Sequence, residues 1–300
     1  MDFDSKSRAR RTLARISHAT ARNARAAEMG RRRGDAVARM IAVLLLAGAF
    51  AAHAEDGMDW VKSLTSNKGP GDFAPPSPMR LAYRFGWDGI QAATAAIRVT
   101  SPAKNTLQID ANGGTSGLPR MLFKLDVSQR ATENASTLRP IHFVQEEKYR
   151  SETVKTSVEF EPNQVTGIRE KIPSNQLPKP NTFRFSPVFD MATALLWVRS
   201  QPLRNGDTES MVVWASNAPY LATVKVIGRD VIRIAGRDER AIKLELHIKK
   251  IDKSMQLKEH KLFKGGRGWL SDDDRRIPLR IEADIFIGYV FAELESVVQE

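Results

Sequence analysis

Strict two-residue alternation over residues 241–249 constrains this fold more than any other feature of the chain. Ile242, Leu244, Leu246 and Ile248 take one side, and Lys243, Glu245, His247 and Lys249 the other. An extended strand with one buried and one solvated face produces that pattern. The period returns at residues 81–87, where Leu81, Tyr83, Phe85 and Trp87 alternate with Ala82, Arg84 and Gly86. Asp88-Gly89 then reads as a hairpin turn, because glycine accepts the positive φ that tight turns require. Further strands are predicted over 90–100, 106–111, 127–131, 142–150, 153–161, 164–171, 209–214, 221–227, 230–234, 261–270 and 277–294.

One segment follows the helical period instead. Met191, Leu195 and Val198 recur at i, i+4 and i+7, widened by Ala194, Leu196 and Trp197. Ser186 before Pro187 or Asp190 before Thr193 can start the helix, and Pro202 stops it. A helical turn is expected at 118–125, and the glycines of 113–117 and Gly265-Gly266 read as junctions. The predicted fold is mainly β: a single domain over residues 79–300, an open roll or half-barrel of about a dozen antiparallel strands with one long helix over about 187–200. Residues 55–78, broken by Gly69-Pro70-Gly71 and Pro75-Pro76, read as a linker or a late-ordering arm.

Charge is unevenly spread. Eleven basic and four acidic residues fall within 1–54, so seven of the eleven net positive charges sit there and +4 remains for the rest. The apparent nucleic-acid-binding character belongs to that leader, and no nucleic-acid partner is expected. Residues 29–54 read as a secretory signal peptide: Arg31, Arg32, Arg33 and Arg39 precede twelve apolar residues and Ala52-His53-Ala54. Cleavage is expected between Ala54 and Glu55, with export by the general pathway to the periplasm. The apolar run is too short for a span, which takes roughly 20 residues, so no stable membrane span is expected in the mature form. Residues 1–28 read as a mis-called start, with a disordered basic extension as the alternative. Cysteine is absent, which removes disulfides, cysteine-ligated metal and a lipid-modified cysteine.

Candidate chemistry is sparse. His142, His247 and His260 show no metal-ligand spacing, and no G-x-S-x-G elbow is present. No catalytic residue, metal site or cofactor is predicted. Asp272-Asp273-Asp274 reads as a turn whose aspartates bond their own backbone amides, with a calcium or acid/base site as the rival. Lys249, Lys250, Lys253, Lys258, Lys261, Lys264 and Arg267 form a basic stretch suited to anionic lipid or envelope polysaccharide, or a lysine-protected edge-strand pair. Leu81, Tyr83, Phe85 and Trp87 either line a ligand cavity or fill the core.

These landmarks fall in a recognisable order. The run Leu81 to Ile90 resembles the opening strand pair of a family of secreted bacterial proteins, domain of unknown function 3108. Thr115-Ser116-Gly117-Leu118, Asp190 to Leu195 with Arg199 and Pro202-Leu203, Trp269 to Asp273 with Arg276-Ile277-Pro278, and Phe286 to Leu294 continue the match. The sequence departs at Ile234-Ala235-Gly236-Arg237, where the family tends to carry a Thr-Pro-Ala-Gly turn. The resemblance implies an exported β-rich protein with no established activity and no catalytic residue to carry over. Its implied shape is similar to the open barrels of periplasmic lipoprotein and lipid carriers, an analogy of fold alone. The leading expectation is a non-enzymatic carrier of an apolar or amphipathic envelope component: a lipid, lipoprotein or glycan. An envelope interaction module comes second, and a polysaccharide hydrolase using Asp272 and Asp273 a distant third.

Overall fold

The computed structural model describes residues 58–72, 76–260, 263, 265–285 and 288–300. The predicted leader, its Ala54/Glu55 cleavage site, Lys261 and Lys264 lie outside the described residues.

Sixteen strands form one sheet. The first eight are β1 (Met79–Trp87), β2 (Ile90–Ala103), β3 (Thr106–Thr115), β4 (Leu125–Asn134), β5 (Arg139–Tyr149), β6 (Thr153–Glu161), β7 (Gln164–Ile172) and β8 (Asn181–Phe183). They meander antiparallel from the middle of the sheet to one edge. The chain then crosses to the opposite edge at β9 (Val188–Phe189), which pairs in parallel with β10 (Thr208–Ala215). It returns through β11 (Ala218–Ile234), β12 (Arg237–Ile251), β14 (Gly265–Ser271), β15 (Pro278–Asp284) and β16 (Tyr289–Gln299), which closes on β1. The short β13 (Leu257–Glu259) pairs beside β14 on β12.

The sheet does not close edge to edge; it overlaps itself. Val158 and Val165 of β6 and β7 pack with Val188, Val212, Trp214 and Leu221 on the back of β9–β11. Asn181 Nδ2 of β8 donates to Asn217 O in the β10–β11 turn at 2.7 Å. Open edges invite pairing with other chains, and here Val188 and Phe189 of edge strand β9 are buried. Residues 58–72 behave as an arm on this overlap: Trp60 Nε1 donates to Met255 O at 2.9 Å, and Thr65 N to Ser210 O at 3.0 Å.

The strand count exceeds the dozen expected because β8, β9 and β13 are only two or three residues long, too short for alternation to show; elsewhere one split and one merger offset each other. Residues 277–294, expected as one strand, are a hairpin: Ile285 N–H bonds Gly288 O at a φ of 72°. Residues 221–227 and 230–234 merge instead into β11 across a bulge between Val226 and Gly228. Gly113 and Gly114 belong to β3, and a Cβ on Gly113 would stand 2.7 Å from that of Ala95 across the pair. Gly265 and Gly266 likewise pair within β14. At the Ile234–Arg237 turn, Ala235 and Gly236 close β11 onto β12 with φ of 46° and 81°, the two left-handed residues of a tight hairpin.

Among the described residues two α-helices interrupt the sheet, α1 (Gly117–Leu122) and α2 (Met191–Ser200). The helix begins after Asp190, not at residue 187, because Val188–Phe189 is strand. Asp190 Oδ1 accepts the Thr193 amide at 2.7 Å, and Thr193 Oγ1 accepts the Asp190 amide at 3.0 Å, a reciprocal cap that satisfies two orphan donors. A helix buried on nearly every side belongs to an interior. Seven residues of α2, among them Trp197 at 0% exposure, are buried, so α2 runs inside the roll. Leu196 meets the β1–β3 and β14–β16 side; Ala194, Trp197 and Val198 meet β9–β12.

Candidate apolar pocket beneath the central helix

The predicted aromatic stripe is core. Leu81, Tyr83 and Phe85 are 6–8% exposed within the main cluster. Tyr83 Oη donates to Pro278 O at 2.7 Å, and burial raises its pKa. Trp87, at the end of the same strand, is half-buried beside Ala283, Ile285 and Val290. None of the four lines the pocket described below.

The basic stretch is an edge pair only in part: among the described residues the short β13, which carries Lys258, pairs with β12 alone. β12 is interior, flanked by β11 on one side and by β14 and β13 on the other. Much of its charge is locally matched: Lys249 lies 3.2 Å from Glu259, Lys258 3.7 Å from Asp252, and Arg267 3.2 Å from Asp284. Lys250 is half-buried and Lys253 exposed. The aspartate run is the predicted turn. Asp273 Oδ1 accepts Ser271 Oγ at 2.6 Å and the amides of Arg275 and Arg276 at 3.1 Å each. Asp272 faces Arg229 at 3.2 Å.

A pocket of about 250 Å³ opens where α2 crosses the sheet. Met191, Leu195 and Val198 form its helical wall; Met211, Ala222 and Leu246 are among those forming its floor. The helical part was legible as the i, i+4, i+7 stripe. The floor was not, because nothing in a strand's alternation says whether its inward residues meet side chains or space. Ligand pockets are usually apolar clefts of about 300–1,000 Å³ with few polar groups, and this pocket stands just below that range. At its rim, burial pushes the Tyr220 phenol up to about 12.

Beside α2's first turn lie two buried acids. Glu133 is 0% exposed, and neither carboxylate oxygen has a hydrogen-bond partner among the described residues. Burial, with Asp190 adding to it, pushes its pKa up to about 9. Burial raises Asp190 too, opposed by its bonds to Thr193.

The family model for proteins of unknown function DUF3108 matches residues 81–295, which covers most of the chain. The chain belongs to the DUF3108 family. No curated protein matches this DUF3108 chain. Among solved structures it is similar to a beta-barrel-like protein of domain of unknown function DUF1849 from Brucella abortus, at a TM-score of 0.51 and 10% identity over 75% of this chain and 98% of that one. The likeness is one of fold. It is also similar to the hypothetical lipoprotein YmcC from Escherichia coli, at a TM-score of 0.29 and 10% identity over 81% of this chain and 98% of that one. The DUF3108 landmarks read from sequence map onto structural duties: Asp190 caps α2, Arg276 binds its far end, and Gly288 turns β15 into β16.

Proposed function

We propose that this DUF3108 protein is an exported, non-enzymatic carrier of an apolar or amphipathic envelope component, working in the periplasm. The apolar pocket between α2 and the sheet carries the reading, and the leader at residues 29–54 supports the location. Burying aliphatic surface contributes about 25 cal/mol per Å², so a preformed apolar cleft binds a chain without a catalytic group. Filling the cleft should abolish uptake. Ala222→Phe on the floor and Leu195→Trp on α2 should each weaken binding of a fluorescent naphthylamine probe by about tenfold or more. Unchanged probe affinity in both folded variants would rule out this pocket as the site.

A second reading, an envelope interaction module, rests on α1. Leu118, Met121 and Leu122 are 77%, 71% and 87% exposed, a cluster of large apolar side chains that soluble surfaces seldom carry without use.

A further inference from the structure

Helix α1 and one wall of the apolar pocket occupy the same end of the sheet. Thr115 pairs with Ala93 near the start of β2, and the Ser116 amide donates to Ala92 O at 2.9 Å, which sets α1 beside the first residues of β2. The β1–β2 and β15–β16 turns share that end, where the Asp88 amide donates to Tyr289 O at 2.9 Å. Ile285 and Val290, which flank the second turn, line the pocket. The backbone of α1 is firmly held. Arg120 donates to Thr115 O at 3.1 Å and to both oxygens of Asp126, Arg150 donates to Met121 O at 2.8 Å, and Thr115 Oγ1 donates to Phe123 O at 2.9 Å. Leu118, Met121 and Leu122 nevertheless stay exposed, as does Ile90 at the start of β2.

Charge points to the partner. Asp126 is held by Arg120, Glu146 by Lys148 and Glu152 by Lys171, and Asp88 accepts the Tyr289 amide. Among the described residues neither Lys124 nor Arg150 forms an ion pair, and both are exposed. Lysine is depleted at protein–protein interfaces. Exposed apolar side chains flanked by cations instead suit the headgroup layer of an anionic bilayer, which takes up the first and attracts the second.

Resting on the interaction-module reading of α1, we propose that this helix seats the roll on an anionic phospholipid bilayer, with Leu118, Met121 and Leu122 among the headgroups and Lys124 and Arg150 on lipid phosphates. The docking brings the pocket's end of the roll to a source of aliphatic cargo.

The chain has no cysteine, so Leu122→Cys in the full chain places a nitrobenzoxadiazole dye on α1 alone. Lys104→Cys places it in the β2–β3 turn, at the opposite end of β2. Vesicles of phosphatidylethanolamine and phosphatidylglycerol should brighten the dye at position 122 severalfold and shift its emission to the blue, with no change at position 104. Phosphatidylcholine vesicles should bind about tenfold more weakly. Lys124→Glu with Arg150→Glu should cost a similar factor, whereas Arg150→Lys, which keeps the charge, should cost little. A dye at 122 that stays in water on both kinds of vesicle would overturn the docking, even where the leader's arginines hold the protein to the lipid. Equal responses at 122 and 104, or equal affinity for the two lipids, would overturn it too. Brightening that follows protein concentration without vesicles would overturn the lipid partner and leave α1 as an interface between copies. Silence at 122 under every condition would overturn the interaction-module reading along with the docking. Probe uptake by the pocket is read separately, so the carrier reading stands or falls on its own test.

Discussion

Replacing Arg276 with alanine should lower stability by about 3–5 kcal/mol, close to 10 °C in melting temperature for a domain of this size. Its guanidinium, on a residue 5% exposed, donates to the carbonyls of Arg199 at 2.7 Å, Gln201, and Pro202 at 3.1 Å. The first two are orphan acceptors at the C-terminal end of α2, which a buried helix end must satisfy, and Pro202 follows the cap. Arg199 answers by donating to Arg275 O, so the two arginines tie the helix end to the β14–β15 turn. Lysine at 276 should recover little, since one ammonium cannot span three carbonyls as a planar fork does. A melting curve for Arg276→Ala within a degree or so of wild type would refute this role.

Glu133→Gln should stabilise the protein at neutral pH by on the order of 3 kcal/mol and have little effect near pH 4.5. The sign follows from a folded-state pKa of about 9 against an ordinary 4.5. Below 4.5 the acid is protonated in both states. Between the two values the folded protein holds a proton that the unfolded chain releases, so native stability falls as pH rises toward 9. Glutamine keeps the neutral form at every pH. Urea unfolding of both proteins at pH 4.5, 7 and 9 should show a gap that widens with pH; a gap independent of pH would contradict it. Asp190, raised in the same direction, adds to the wild type's loss at high pH.

Alternation carried most of the fold. Residues 153–161 were predicted as they stand in β6, and the strand at 241–249 lies within β12. Helix α2 was legible because its stripe and the Asp190–Thr193 pair are both local. What escaped notice is long-range. The break between β15 and β16 has no obvious signal other than Gly288, and the overlap of β6–β7 behind β9–β11 depends on packing between segments far apart in sequence. The site divided along the same line. Met191, Leu195 and Val198 were visible as a helical face, whereas the aromatic stripe read as either core or ligand wall and nothing local singled out the strand residues that line the pocket floor. Ala222 and Ala215 leave space because they are small, and smallness in a strand reads as close packing until the opposite wall is known. The charge matching of the basic stretch was legible only in part, because Glu259 and Asp252 lie within it whereas Asp284 and Glu282, which face Arg267, come from another strand.

The central claim, that the roll carries an aliphatic molecule under α2 after export, is tested most directly by native mass spectrometry. The protein would be expressed with its leader and purified from the periplasm without detergent, beside Ala222→Phe handled identically. The account predicts a wild-type mass that begins at Glu55 and holds a bound lipid, with that added mass missing from the variant. A bare polypeptide mass in both proteins, or the same adduct on both, would contradict it.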